Sequence, residues 1–166
     1  TAFPGSSNPD KGRIRYANQF VAAINKQEQI SGLLSELKFI NRLSDRGTKI
    51  ALTEAGWTFS LLRNPILDDR DENPSDRFSE EETNFLLDHI MKAVPVERFA
   101  YTTILQAISK GHDAPDKLHT ALASLERDSG QGSTSFFANQ RSGAISRMAD
   151  LDLLTRDRDG VRVTYV

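Results

Sequence analysis

A phrase stated twice constrains this chain more than any other feature. Residues 16–24 read YANQFVAAI and residues 137–145 read FANQRSGAI, a constant offset of 121 positions. A matched tail follows each, LSELKFINR at 34–42 and MADLDLLTR at 148–156. Each tail runs into a Gly-bearing turn and a short alternating segment, DRGTKIAL and RDGVRVTY. Self-similarity at a fixed offset marks a duplicated supersecondary unit. Here the unit is a helix, a leucine-rich exit and a hairpin carrying basic residues. The first copy has seven extra residues between Ile24 and Leu34. Seven residues are about two helical turns, so a lengthened helix absorbs them without losing its face. Gly32 offers a break instead.

The rest of the chain supplies punctuation. Residues 1–12, rich in Pro, Gly and Ser, predict a loop. From Ile14 a helical pattern follows, with Phe20, Ala23 and Ile24 on one face and then Ile30, Leu33, Leu34 and Leu37. Residues 47–53 predict a strand. Thr53 predicts the N-cap of a helix with Phe59 and Leu62 facing inward and Trp57 in the core. Residues 64–78 carry two prolines and a run of acids without periodicity, and predict a linker. Ser79-Glu80-Glu81-Glu82 is a capping box, opening a helix with Phe85, Leu86, Ile90 and Met91 as its core. Pro95 ends it. A second helix is expected over 97–109. A third starts near Asp113 with Pro115 in its first turn and Leu118, Ala121, Leu122 and Leu125 on one face. The repeated helix is expected over 134–149.

The order helix, helix, turn, helix, two-stranded hairpin over 97–166 resembles a winged helix-turn-helix domain. Residues 13–62 resemble the second half of another. RIRYANQFVAAI and RGTKIALTEAG are also similar to winged-helix modules of prokaryotic DNA-binding and restriction proteins. The fold expected is mainly α with small β-wings, as two winged-helix units in tandem. Unit 1 is residues 1–63, incomplete at its start, residues 64–78 are an acidic linker, and unit 2 is residues 79–166. The chain starts at Thr1 without methionine and ends within an alternating segment. This is read as a fragment of a longer protein, with a trimmed short protein as the alternative.

The resemblance implies that the repeated helix enters the major groove and the hairpin touches phosphates. At 100° per residue, Phe137, Ala144, Ile145, Met148 and Leu151 share the core face of this helix. Ser135, Asn139, Ser142, Gly143 and Ser146 fall opposite, flanked by Gln140 and Arg147. Asn and Gln can pair bidentately with adenine and Arg with guanine. Arg158 and Arg162 sit on the expected wing. In unit 1 the candidates are Asn18 with Arg13 and Arg15, on a surface made more apolar by Val21 and Ala22. The competing reading makes Asn139 and Asn18 ordinary surface or capping residues, and Arg13 and Arg15 solvated charges. Arg141 falls close to the core face and fits neither reading.

Charge and composition narrow the function classes. Residues 1–63 carry a net charge of +4, residues 64–97 one of −7 and residues 98–166 one of +1. Any attraction to DNA is therefore local. Cysteine is absent, which removes disulfides, thiolate metal sites and cysteine nucleophiles and accords with a reducing, cytoplasmic setting. No apolar run reaches the ~20 residues of a membrane span. His112 and His119 have no companion at metal-ligand spacing. Asp68, Asp69, Asp71 and Glu72 form a solvated acidic run. No phosphate loop or nucleophile elbow is present. The expectation is a non-enzymatic protein without cofactor or metal that binds double-stranded DNA, as a transcription regulator, a replication or partition factor, or the targeting part of a larger protein. The alternative is a protein-interaction scaffold, with a protein partner or a second copy as its ligand.

Overall fold

The computed structural model describes residues 9–43, 49–68, 77–128, 134–159 and 162–166. The chain is mainly helical and divides into two compact units, Thr1–Leu62 and Arg63–Val166. Its described strands form two-stranded antiparallel sheets, and no described helix is long and apolar enough to cross a membrane.

In the first unit, helix α1 (Pro9–Tyr16) starts within the segment expected to be loop. It continues as one π-helical turn, Ala17–Val21, and Ala22 is then extended. Strands β1 (Ala23–Ile24) and β2 (Ile30–Ser31) pair as a minimal hairpin. Helix α2 (Leu33–Glu36) is a single turn. Residues 14–37 are thus not one long helix, and the repeated phrase is not a repeated structure. The cause lies in the seven extra residues. Asn25 accepts through Oδ1 from the amides of Gln27 and Gln29, each at 2.9 Å, a side-chain turn that competes with helix. Gly32 then takes φ +105, and a Cβ added there would come within 3.1 Å of the carbonyls of Asn18 and Val21. A side chain there is disfavoured by the left-handed conformation and by tight space.

Beyond α2 the chain forms the hairpin β3 (Ile40–Leu43) and β4 (Lys49–Leu52), with Ile40 opposite Leu52. Helix α3 (Glu54–Ser60) follows, and Thr53 is its N-cap as expected, accepting from the Gly56 amide. The same hydroxyl donates to the Lys38 carbonyl. Phe39 stacks on Phe59 at 5.1 Å, and a side chain at Gly56 would strike the Phe39 carbonyl. That contact sets the face α3 turns inward. It leaves Trp57 59% exposed and Leu61 79% exposed, so the expected core role of Trp57 is corrected. Leu62 is half-buried.

The second unit takes in the start of the expected linker. Helix α4 (Pro65–Asp68) is one turn, and Asn64 before it donates to Glu82 Oε1 at 2.8 Å. Residues 69–76 lie outside the described residues. Ser79 opens helix α5 (Glu80–Ala93) with both bonds of the capping box. Leu86 and Ile90 are buried, while Phe85 is half-buried and Met91 exposed. Helix α6 (Pro95–Ser109) starts on its proline, whose missing N–H costs nothing at that position. Helix α7 (Pro115–Asp128) buries Leu118 and Leu122. Helix α8 (Thr134–Asp150) buries Ala144, Ile145 and Met148. Helix α6 lies against α5, α7 and α8. The chain ends in the hairpin β5 (Arg156–Asp159) and β6 (Arg162–Tyr165). The Tyr165 amide donates to the Asp113 carbonyl at 2.7 Å, tying this hairpin to the start of α7.

The tails, unlike the phrases, share a structure. Lys38 and Asp152 hold the same place in them and take φ 62 and 55. The next amide reaches back five residues in both, Phe39 to Leu34 and Leu153 to Met148, each at 2.9 Å. This left-handed exit satisfies the carbonyls at the helix end and aims the chain into an antiparallel hairpin. Ile40 and Leu154, equivalent in the tails, are both buried. The hairpins differ in connection length, five residues after Leu43 and two after Asp159.

Candidate nucleic-acid interface

Helix α8 is held by one face. Ala144, Ile145 and Met148 are buried, with Leu151 and Leu154 continuing the core past the helix end. Asn139, Gln140 and Ser142 are exposed, and Gly143 and Ser146 are half-buried. Arg141 is also half-buried. The side chains of Phe137, Ser135, Arg158 and Arg162 lie outside those described, although the strand positions of the two arginines are given. Arg158 stands opposite Val163, and Arg162 opposite Asp159.

Arg147 is not part of the outward face. Its Nη2 and Nε donate to the two carboxylate oxygens of Glu97 on α6, at 2.7 and 3.1 Å. Helix α8 has no side chain at Gly143, where a Cβ would come within 3.1 Å of this guanidinium. Burial works against the charge of Arg147, but the hydrogen bonds and charge of Glu97 outweigh it and raise its pKa. The Tyr101 hydroxyl is enclosed nearby with no hydrogen-bond partner among the described residues. Burial first, and then Glu97, push the Tyr101 phenol well above its ordinary range. A bidentate Arg–carboxylate pair fixes geometry as well as energy, so this cluster pins α8 to α6. Arg147 is paired to Glu97, and no local pattern could reveal that, since its partner lies fifty residues away.

Arg156 escaped the sequence reading. It is exposed, and its Nη2 donates to Ser146 Oγ at 2.8 Å. Only the helix exit brings the two together.

In the first unit, Arg13 on α1 and Asn18 on the π-helical turn are exposed. The side chain of Arg15 lies outside those described. Asn18 occupies a turn that gives way to β1, not the centre of a long helix face, so it does not match Asn139. Val21 is exposed and Ala22 half-buried. His112 is half-buried, His119 is exposed, and the described residues hold no group of three metal-ligating side chains.

Compared with known protein families, with curated proteins and with solved structures, the chain matches none.

Proposed function

We propose that the second unit is a winged helix that binds duplex DNA, with α8 in the major groove and the β5–β6 hairpin as wing. One observation carries the reading. Helix α8 is locked from behind by Ala144, Ile145 and Met148, presents uncharged hydrogen-bonding side chains at Asn139, Gln140 and Ser142, and runs directly into an arginine-bearing hairpin. Amide side chains on a rigid helix suit base edges, and arginines at its end suit phosphates. In the first unit, Arg13 and Asn18 are exposed, but that unit has no long helix to present them. A regulator, a replication or partition factor and a DNA-targeting module would each use this chemistry, without catalysis by the chain itself.

The test is titration with sequence-varied duplexes at two salt concentrations. Affinity is expected to fall steeply with salt through counterion release. Asn139→Ala should lose about 1–3 kcal/mol of discrimination at one base pair and keep the salt slope. Absence of binding at low salt, or an unchanged base preference in Asn139→Ala, rejects the reading.

A second reading, protein docking, draws on an exposed apolar pair in the first unit. Trp57 on α3 and Leu61 just past its C-terminal end, four residues apart, form an exposed apolar pair. Exposed apolar patches mark interaction sites. Because Trp57 is the only tryptophan, its fluorescence reports the site directly. Emission of the isolated chain is expected at the position of a water-exposed indole, and a partner or second copy covering α3 should shift it to the blue. A blue-shifted, quencher-protected Trp57 in the dilute chain would rule out an open α3 face.

A further inference from the structure

Two arginines stand at the C-terminal end of α8 and are held in opposite ways. Arg147 is neutralised by Glu97. Arg156, the first residue of β5, reaches back over the helix exit to Ser146 Oγ at 2.8 Å. A hydroxyl carries no charge, so Arg156 keeps its own in full. A guanidinium has five N–H donors, and one bond to Ser146 leaves others for a ligand. The backbone beneath it is fixed on both sides. The amides of Thr155 and Val166 each donate to the other residue's carbonyl, at 2.7 and 2.9 Å, and Arg156 stands opposite the buried Tyr165. Asn139, Ser142 and Ser146 are spaced by three and four residues and form one stripe of α8. Ser146 thus draws a full positive charge to the end of the outward stripe. The exposed Asp150, one turn beyond, bounds this site, and alternation assigns Asp157 to the other strand face.

We infer that Arg156 binds the phosphodiester backbone flanking α8, with Ser146 as the positioning residue that presets its guanidinium. This rests on the duplex-DNA reading above. Prepositioning matters because a long cationic side chain otherwise gives up rotamer freedom on binding. It also distinguishes Arg156 from solvated arginines, whose contribution is charge alone.

The experiment uses the full chain and a random-sequence DNA duplex, with circular dichroism as the check on folding. Arg156→Gln is expected to weaken binding roughly fivefold at about 0.15 M salt, the worth of one released counterion, and to lower the salt slope by about one. Arg156→Lys should restore the slope. Ser146→Ala should weaken binding with the slope unchanged, and should add nothing in the Arg156→Gln background. Wild-type binding with unchanged affinity and slope in Arg156→Gln overturns the role of Arg156 and leaves the DNA reading standing. Additive losses from Ser146→Ala and Arg156→Gln overturn the positioning role of Ser146. No binding by the wild-type chain at low salt overturns the DNA reading and this inference together.

Discussion

Ile145→Ala is expected to destabilise the second unit by about 2–4 kcal/mol, while Ile24→Ala, at the same place in the repeated phrase, changes the stability of the first unit by less than about 1 kcal/mol. The two isoleucines close the strings FANQRSGAI and YANQFVAAI. Ile145 is 5% exposed on α8, a helix that packs against α6. Its truncation removes buried methyl groups and leaves a cavity that packed neighbours fill only in part. Ile24 lies 38% exposed at the end of the two-residue strand β1. Little of it is withdrawn from water, and little is lost. Chemical denaturation of each variant, followed by circular dichroism and by a probe specific to each unit, measures the difference. Equal losses at the two positions would restore the structural equivalence of the phrases.

Glu82→Ala is expected to cost about 2–4 kcal/mol, while the neighbouring Glu80→Ala and Glu81→Ala stay within about 0.5 kcal/mol of the parent. Three consecutive glutamates open α5, and only one of them is buried. Glu82 is 1% exposed. Its Oε2 accepts from the Ser79 amide at 2.9 Å and its Oε1 from Asn64 Nδ2 at 2.8 Å, while its own amide donates to the Ser79 hydroxyl. Removing the carboxylate ends the reciprocal cap and strands two donors that had been paired with a charge. Ser79→Ala, which loses one capping bond, should cost about 1 kcal/mol. Asn64→Ala should weaken the hold of the 63–68 segment on the second unit without unfolding α5. Thermal melting of the five proteins ranks them, and a Glu82→Ala melt matching that of Glu80→Ala would mean that the cap and the Asn64 tie carry no net stability.

Much of the helical framework was legible because its signals are local. The Ser79 cap, Pro115 at a helix start, and the spacing of Ala144, Ile145 and Met148 each act within one or two turns of chain, whereas Pro95, expected to end α5, begins α6. Thr53 belongs with them. The left-handed exits at Lys38 and Asp152 were visible as matched tails, though not as a conformation. The stretch from Ile14 to Leu37 was misread because its apolar spacing suits a helix, and periodicity ignores a side chain such as Asn25 that bonds its own backbone. Gly32 was noticed as a break, but sequence alone could not weigh it against a longer helix.

The candidate site was legible only on its outward side. Asn139, Gln140 and Ser142 follow from helix geometry once the core face is known. Arg147 and Arg156 do not, since both are decided by partners on other elements. Sequence by itself determined where α5, α7 and α8 begin, which face of α8 turns inward and that a hairpin follows each tail. Tertiary structure decided that Arg147 is bound to Glu97, that Arg156 reaches Ser146, that Glu82 is shared by a cap and by Asn64, and that Trp57 faces water. The physical reason is range. Capping, propensity and periodicity are settled by neighbours along the chain. The state of a charge or an indole depends on which surface the fold lays against it, and Phe39 beneath Gly56 is what turned Trp57 outward.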